Sequence, residues 1–240
     1  MKRALLAAIF SSALLAQTPT KSTTTAKSTG AAKAATPATS AASNGDLLHP
    51  ATLNKTAPAT FRVKFTTTKG DIVMDITRAW APRGVDRFYN LVRAGFFTDA
   101  PFYRVMPNFM AQFGVSARPD VNHAWQGANI QDDPRNGQSN KRGKVTFATT
   151  GAPNSRGTAL FINIGDNAYL DQGFVPIGEV IEGMDHVDML YNGYGDTAIH
   201  QPDFENGGKA YVDRTFPKLD RILTAATIAN LPVPAAPAAK

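Results

Sequence analysis

An abrupt change of composition near residue 60 sets the outer limits on what this chain can fold into. Residues 17–60 repeat fragments such as Thr-Lys-Ser, Ala-Ala-Lys and Ala-Thr-Pro, and no aromatic residue stands between Phe10 and Phe61. Such a stretch cannot bury enough apolar surface to offset the entropy of ordering it. It therefore reads as a flexible linker. The roughly 180 residues that follow are enough for one self-sufficient hydrophobic core. The pattern assigns 61–226 to a folded domain and 227–240, where Pro and Ala alternate, to a mobile tail.

The same boundary explains the charge. The net charge of +6 invites a nucleic-acid or membrane reading. Residues 1–60, however, hold six of the 25 Lys and Arg but one of the 19 Asp and Glu, leaving 19 bases facing 18 acids. The domain is close to neutral, so nucleic-acid binding is not expected. At the N-terminus, Lys2 and Arg3 precede the 13-residue apolar run Ala4–Ala16, after which Gln17-Thr18-Pro19 turns polar. A charged start, a short apolar run and a small residue make residues 1–16 a cleavable export signal. The run is too short to span a bilayer. The expected location is the periplasm or the exterior, with no stable membrane anchor. Cysteine is absent, which excludes disulfides, thiolate catalysis and Cys-ligated zinc.

Within the domain, Phe61, Val63 and Phe65 alternate with polar residues, and Lys69-Gly70 turns the chain into Asp71–Ile76, a β-hairpin. Pro82 suits the first turn of a helix whose Val85, Phe88, Tyr89 and Val92 share a face and which Gly95 ends. Strand-like runs follow at 102–105, 109–113, 145–149, 160–163, 175–180 and 219–223, with a second helix over 184–191. Many short strands and two helices predict a mainly β fold, a closed barrel capped by helices. Gly193–Phe216 is longer than a bare barrel needs and reads as an excursion.

Several kinds of chemistry lack their residues. The four histidines have no metal-ligand spacing, no Gly-x-Ser-x-Gly elbow exists, and Gly151–Gly157 lacks the Lys-Ser/Thr ending of a phosphate cradle. Asp132-Asp133, without further carboxylates, reads as a solvated loop rather than a calcium site. No cofactor and no metal are expected. What remains is one dense segment, Phe102-Tyr103-Arg104-Val105-Met106-Pro107-Asn108-Phe109-Met110-Ala111-Gln112-Phe113-Gly114. It resembles the hallmark of the cyclophilin family of peptidyl-prolyl isomerases. Two further blocks resemble that family in the same order: Pro153–Asn163, and Tyr169-Leu170-Asp171 with Phe174–Val180 and Glu182–Asp185.

The resemblance implies an eight-stranded antiparallel barrel with two capping helices, acting without cofactor on proline-containing polypeptides, as a monomer that assists folding of exported proteins. It makes Arg104 the catalytic arginine and places Gln112 where it bonds the substrate backbone. Phe109, Met110, Phe161 and Leu170 become the walls of a proline pocket. Four positions depart from the family. Tyr169 stands for a Trp of eukaryotic members, Phe174 for a pocket His, Ala159 for a substrate-contacting Gln, and Thr150 for an Asn whose backbone holds the peptide. These four complete the expected substrate-binding set. Tyr103 also replaces a frequent His. The losses at Ala159 and Thr150 leave open an alternative, a non-catalytic module that docks proline peptides in the same groove; retention of Arg104 speaks for the enzyme.

Overall fold

The computed structural model describes residues 46–196 and 200–229. The expected export signal (1–16), most of the linker (17–45) and the end of the tail (230–240) lie outside them. The remainder of the linker is folded: 46–60 carries two short 3-10 turns, Asp46–Leu48 and Pro50–Thr52, and buries Leu47 and Ala57 in the core. Specific anchors hold it there. Trp125 Nε1 donates to the Leu47 carbonyl at 2.8 Å, and the Ala57 amide donates to Asp86 at 2.8 Å.

The hairpin β1 (Thr60–Thr67) and β2 (Gly70–Thr77) pairs in register from Thr60 opposite Thr77 to Thr67 opposite Gly70. Helix α1 (Pro82–Arg93) opens on proline, and Ala81 before it offers no side-chain cap. Asp133 supplies the cap from elsewhere: its carboxylate accepts the amides of Arg83 and Gly84, both at 2.9 Å, and Arg156 Nη1 at 2.9 Å. The expected solvated-loop carboxylate is thus a buried one, because an orphaned helix end and a buried guanidinium both need an acceptor.

The chain continues through β3 (Ala100–Pro101), β4 (Arg104–Met106), β5 (Met110–Phe113), α2 (Pro119–Trp125), β6 (Lys144–Phe147), β7 (Leu160–Asn163), β8 (Pro176–Glu182), α3 (Met184–Asp188), α4 (Gln201–Thr215) and β9 (Arg221–Ile228). All nine strands form one antiparallel sheet in the order β3-β9-β1-β2-β8-β6-β7-β5-β4. This corrects the expected closed eight-stranded barrel with two helices. The sheet is curled but open, and four α-helices occur among the described residues. Of the run expected as one strand over 102–105, only Arg104 and Val105 are in a strand, β4; β3 ends just before it, and β3 and β4 are the two sheet edges. No ladder joins them among the described residues. Phe102 and Tyr103 carry the chain from one edge to the other, and the Phe102 amide is spent on the Asp220 carbonyl at 2.9 Å.

Helices α2 and α4 escape the sequence pattern. Gly207-Gly208 argues against a helix, and α4 indeed breaks at Gly208 (φ 54°, ψ −151°). A side chain there would lie 2.5 Å from the Ala117 carbonyl, the group to which Lys209 N donates at 2.8 Å. The break thus docks α4 on the loop before α2. Around it a small core forms from Tyr103, Val115, Phe204, Val212, Phe216 and Leu219. The main core is aromatic. Phe65, Phe97 and Phe113 meet pairwise at ring-centroid distances of 5.5–5.7 Å, with Phe88 and Phe102 packed on them. Each such pair adds about 0.5–1.5 kcal/mol beyond its burial. No helix of the described residues is long and apolar enough to cross a membrane.

Candidate active site

Strand alternation sorts β4, β5 and β7 into two faces. Val105, Ala111 and Ile162 stand opposite one another in register and face the core. The neighbouring row on the other face runs Arg104, Gln112, Phe161 and Thr146, each directly opposite the next. Met106, Met110 and Asn163 form the row beside it. A one-residue slip would send every member of the group inward, so the core that fixes the register also fixes the site.

Arg104 is half-buried. Its Nε donates to Asp196, its Nη1 donates to Gln112 Oε1 at 3.4 Å, and its Cζ lies 5.8 Å from the centroid of the Phe109 ring. The bond from Arg104 holds the Asp196 carboxyl below the usual carboxylate range. Beside the cation lies an apolar wall. Phe161 and Met110 are buried, Phe161 meets Phe174 edge-on at 5.8 Å, and Phe109 stacks on the largely exposed Tyr169 at 6.4 Å. Leu170 is half-buried in the same 3-10 turn as Tyr169, Ala168–Gln172.

A network of buried amides holds this turn and the β4–β5 hairpin together, and the sequence reading missed it. Asn167 Nδ2 donates to the Phe109 carbonyl and to Asn163 Oδ1, both at 2.8 Å. Asn140 Nδ2 donates to Asp171 and to the Phe174 carbonyl, both at 2.9 Å, while its Oδ1 accepts Thr146 Oγ1 at 2.9 Å. Asn140, Asn163 and Thr146 are fully buried. At Asp171 burial pushes the carboxyl up, but hydrogen bonds from Ser139 and from the Asn140 amide and side chain outweigh it, so the net shift is downward. Gly165 is required because a side chain there would meet the Asn108 carbonyl at 2.1 Å. Scattered Asn residues read equally well as loop formers, so no sequence pattern separates these from the rest.

Thr150 and Ala159 are placed apart from the apolar wall. They line an adjoining cavity of about 230 Å³ together with Gln112, which the two regions share. Gln201 and Glu205 of α4 reach the same cavity, and α4 also covers Tyr103, whose ring lies 6.0 Å from that of Phe204. Burial pushes the Tyr103 hydroxyl up, with Glu205 adding to the shift. Among the described residues no three His, Asp or Glu side chains gather as metal ligands.

Comparison with known proteins places this geometry. The profile of the family described as "Cyclophilin type peptidyl-prolyl cis-trans isomerase/CLD" matches residues 62–205. A peptidyl-prolyl cis-trans isomerase of Acinetobacter baylyi is 34% identical over 141 residues, which cover 57% of this chain and 74% of the relative. Peptidyl-prolyl cis-trans isomerase B of Escherichia coli is 34% identical over 148 residues, 58% of this chain and 90% of the relative. Among solved structures, a cyclophilin-type isomerase of Cryptosporidium parvum superposes with a TM-score of 0.57 at 19% identity, covering 72% of this chain and 99% of its own.

Proposed function

Since the chain belongs to the cyclophilin-type peptidyl-prolyl cis-trans isomerases, we propose how its groove divides the work of rotating X-Pro bonds in polypeptides. The protein is an enzyme of that class, and its task is defined by one barrier. Resonance between the amide nitrogen and the carbonyl resists rotation by about 18–20 kcal/mol. At X-Pro bonds both isomers are populated and exchange uncatalysed over tens to hundreds of seconds. In the twisted transition state the nitrogen lone pair is localised, so a donor aimed at it stabilises that state selectively.

Arg104 is that donor in our reading. Guanidinium is permanently charged and presents five N–H groups from a planar head. Asp196 accepts from its Nε and Gln112 from its Nη1, and among the described residues Nη2 has no hydrogen-bond partner. Phe109, Met110, Phe161 and Leu170 take the pyrrolidine ring, with Tyr169 and Phe174 at the rim. Gln112 bonds the substrate backbone as well as Arg104, and the peptide runs on past Ala159 and Thr150. The observation that carries this assignment is the shared register: Arg104, Gln112 and Phe161 form one row with Met110 beside it, so cation and apolar slot stand within one residue's reach.

The test is cis-to-trans exchange in a short X-Pro peptide, followed by NMR exchange spectroscopy with the full chain and its Arg104→Ala variant. The variant is expected to lose about 10²–10³-fold of the acceleration while the peptide still shifts resonances of the pocket. Equal acceleration by the variant would remove Arg104 from the chemistry. We further infer export to the periplasm or beyond, on the support of Lys2-Arg3 and the apolar run Ala4–Ala16. N-terminal sequencing of the protein recovered from a periplasmic fraction tests it; an intact Met1 there would remove the cleavable signal.

A further inference from the structure

Asp196 comes from the segment between α3 and α4, which neither the sequence pattern nor the groove's apolar lining accounts for. Its carboxylate accepts Arg104 Nε. The turn that presents it is fixed by contacts of its own. Gly195 N donates to the Asn192 carbonyl at 3.1 Å, and the Tyr194 ring packs edge-on against Tyr191 and Phe216 at 5.0 and 5.1 Å. The anchoring residue Phe216 belongs to the small core that α4 builds against Tyr103, the residue before Arg104. Both partners of the ion pair are therefore tied to one packed unit.

We propose that Asp196 is a positioning residue: it holds the Arg104 guanidinium in the orientation that turns its unengaged Nη2 to the substrate. The proposal rests on the reading of Arg104 given above. An arginine on a strand has four rotatable side-chain bonds and loses about 2 kcal/mol of rotamer entropy when fixed. The Gln112 contact at 3.4 Å is long for a hydrogen bond, and the Phe109 ring restrains only one face of the guanidinium plane. A charged acceptor on Nε supplies the missing restraint, and charge-assisted bonds are the stronger kind. The carboxylate accepts from Nε alone and leaves Nη2 unengaged among the described residues. It orients the group and leaves the Nη2 N–H groups to meet the proline nitrogen. Because both side chains are partly exposed, the pair adds little to stability, and its effect belongs to the reaction.

The experiment is a double-mutant cycle on the full chain, with kcat and KM obtained separately by NMR exchange over a range of X-Pro peptide concentrations. Asp196→Ala is expected to lower kcat about tenfold, the equivalent of one lost hydrogen bond to a charged group, with KM within about twofold. Asp196→Asn, whose amide oxygen still accepts from Nε, should recover part of the loss. In an Arg104→Ala background the further change Asp196→Ala should alter nothing, since Asp196 acts through Arg104. A kcat equal to or above the parent in Asp196→Ala would overturn the proposal and mark the pair as a brake. A full additional loss in the Arg104→Ala background would overturn it in favour of a merely structural role. Failure of the underlying reading has a different signature: Arg104→Ala itself would be as active as the parent, whatever Asp196→Ala does.

Discussion

Arg104 and Gln112 stand directly opposite each other across the β4–β5 ladder, and Arg104 Nη1 donates to Gln112 Oε1 at 3.4 Å. A directly opposed pair on one sheet face is the closest side-chain relationship a ladder offers, so the backbone register itself delivers the catalytic cation to its amide partner. Replacing Gln112 by Leu keeps the volume but removes the acceptor. It is expected to lower kcat/KM about tenfold, by one charged hydrogen bond. Arg104→Lys should lose about a hundredfold despite keeping the charge, because an ammonium cannot bond Asp196, Gln112 and substrate from one planar fork. Peptide exchange rates measured by NMR check both; a lysine variant near the parent's rate would mean that charge alone suffices.

Asp133 and Arg156 form an ion pair with side chains 0% and 5% exposed. Removing one partner of a buried pair strands the other charge, at a cost of about 3–5 kcal/mol. Asp133→Ala also deprives Arg83 and Gly84 of their acceptor at the start of α1. Urea unfolding should show a free energy of unfolding lowered by that amount, with Asp133→Asn intermediate because its remaining oxygen still caps the helix. A loss below about 1 kcal/mol, the range of an exposed pair, would mean that water reaches Arg156.

The pattern of alternating and helical apolar residues made the hairpin of β1 and β2 and helix α1 legible, because each is amphipathic on its own, while the strand at 160–163 was legible as a short apolar run, buried at every position. The dense segment 102–114 made the groove legible for a different reason: its resemblance to the cyclophilin hallmark gave Arg104, Phe109, Met110 and Gln112 their places in one site. What stayed hidden depends on distant partners. β3 and β4 part because the Phe102 amide finds Asp220, more than a hundred residues away. Helix α4 exists through packing on Tyr103 and Ala117, against the propensity of its two glycines. Leu47 is folded because Trp125 Nε1 donates to its carbonyl, and the Asn140 and Asn163 amides are buried only once strands β6 and β7 have formed. Tertiary context overrode local preference in each case.

Asp171 makes the site acid-sensitive in a stated direction. Its folded pKa lies below the usual value through hydrogen bonds from Ser139 and Asn140, which outweigh the opposing effect of burial. A carboxyl depressed in the folded state contributes stability above its unfolded pKa of about 3.9 and loses it as pH falls through the folded value. Asp171→Asn should therefore be less stable than the parent at pH 7, and the gap between them should close below about pH 4. Parallel urea titrations at pH 7 and pH 3 measure it. A gap that stays constant would show that the carboxylate charge is not what secures the turn carrying Tyr169 and Leu170.

Ala159 leaves space where a longer polar side chain would meet the substrate. It lines the cavity of about 230 Å³ beside Gln112 and Thr150, and its own carbonyl is already engaged by the Ala148 amide at 2.9 Å. The side chain is thus free to change without disturbing the ladder. Ala159→Gln adds one donor and one acceptor facing the cavity. A net gain of about 0.5–1.5 kcal/mol per hydrogen bond corresponds to a KM lower by about two- to twelvefold, with kcat unchanged because the contact lies away from the rotating bond. Saturation curves for the parent and the variant on the same X-Pro peptide decide it. An unchanged KM would mean that Gln201 and Glu205, which α4 brings to the same cavity, already supply the bonds that the small residue at 159 gives up.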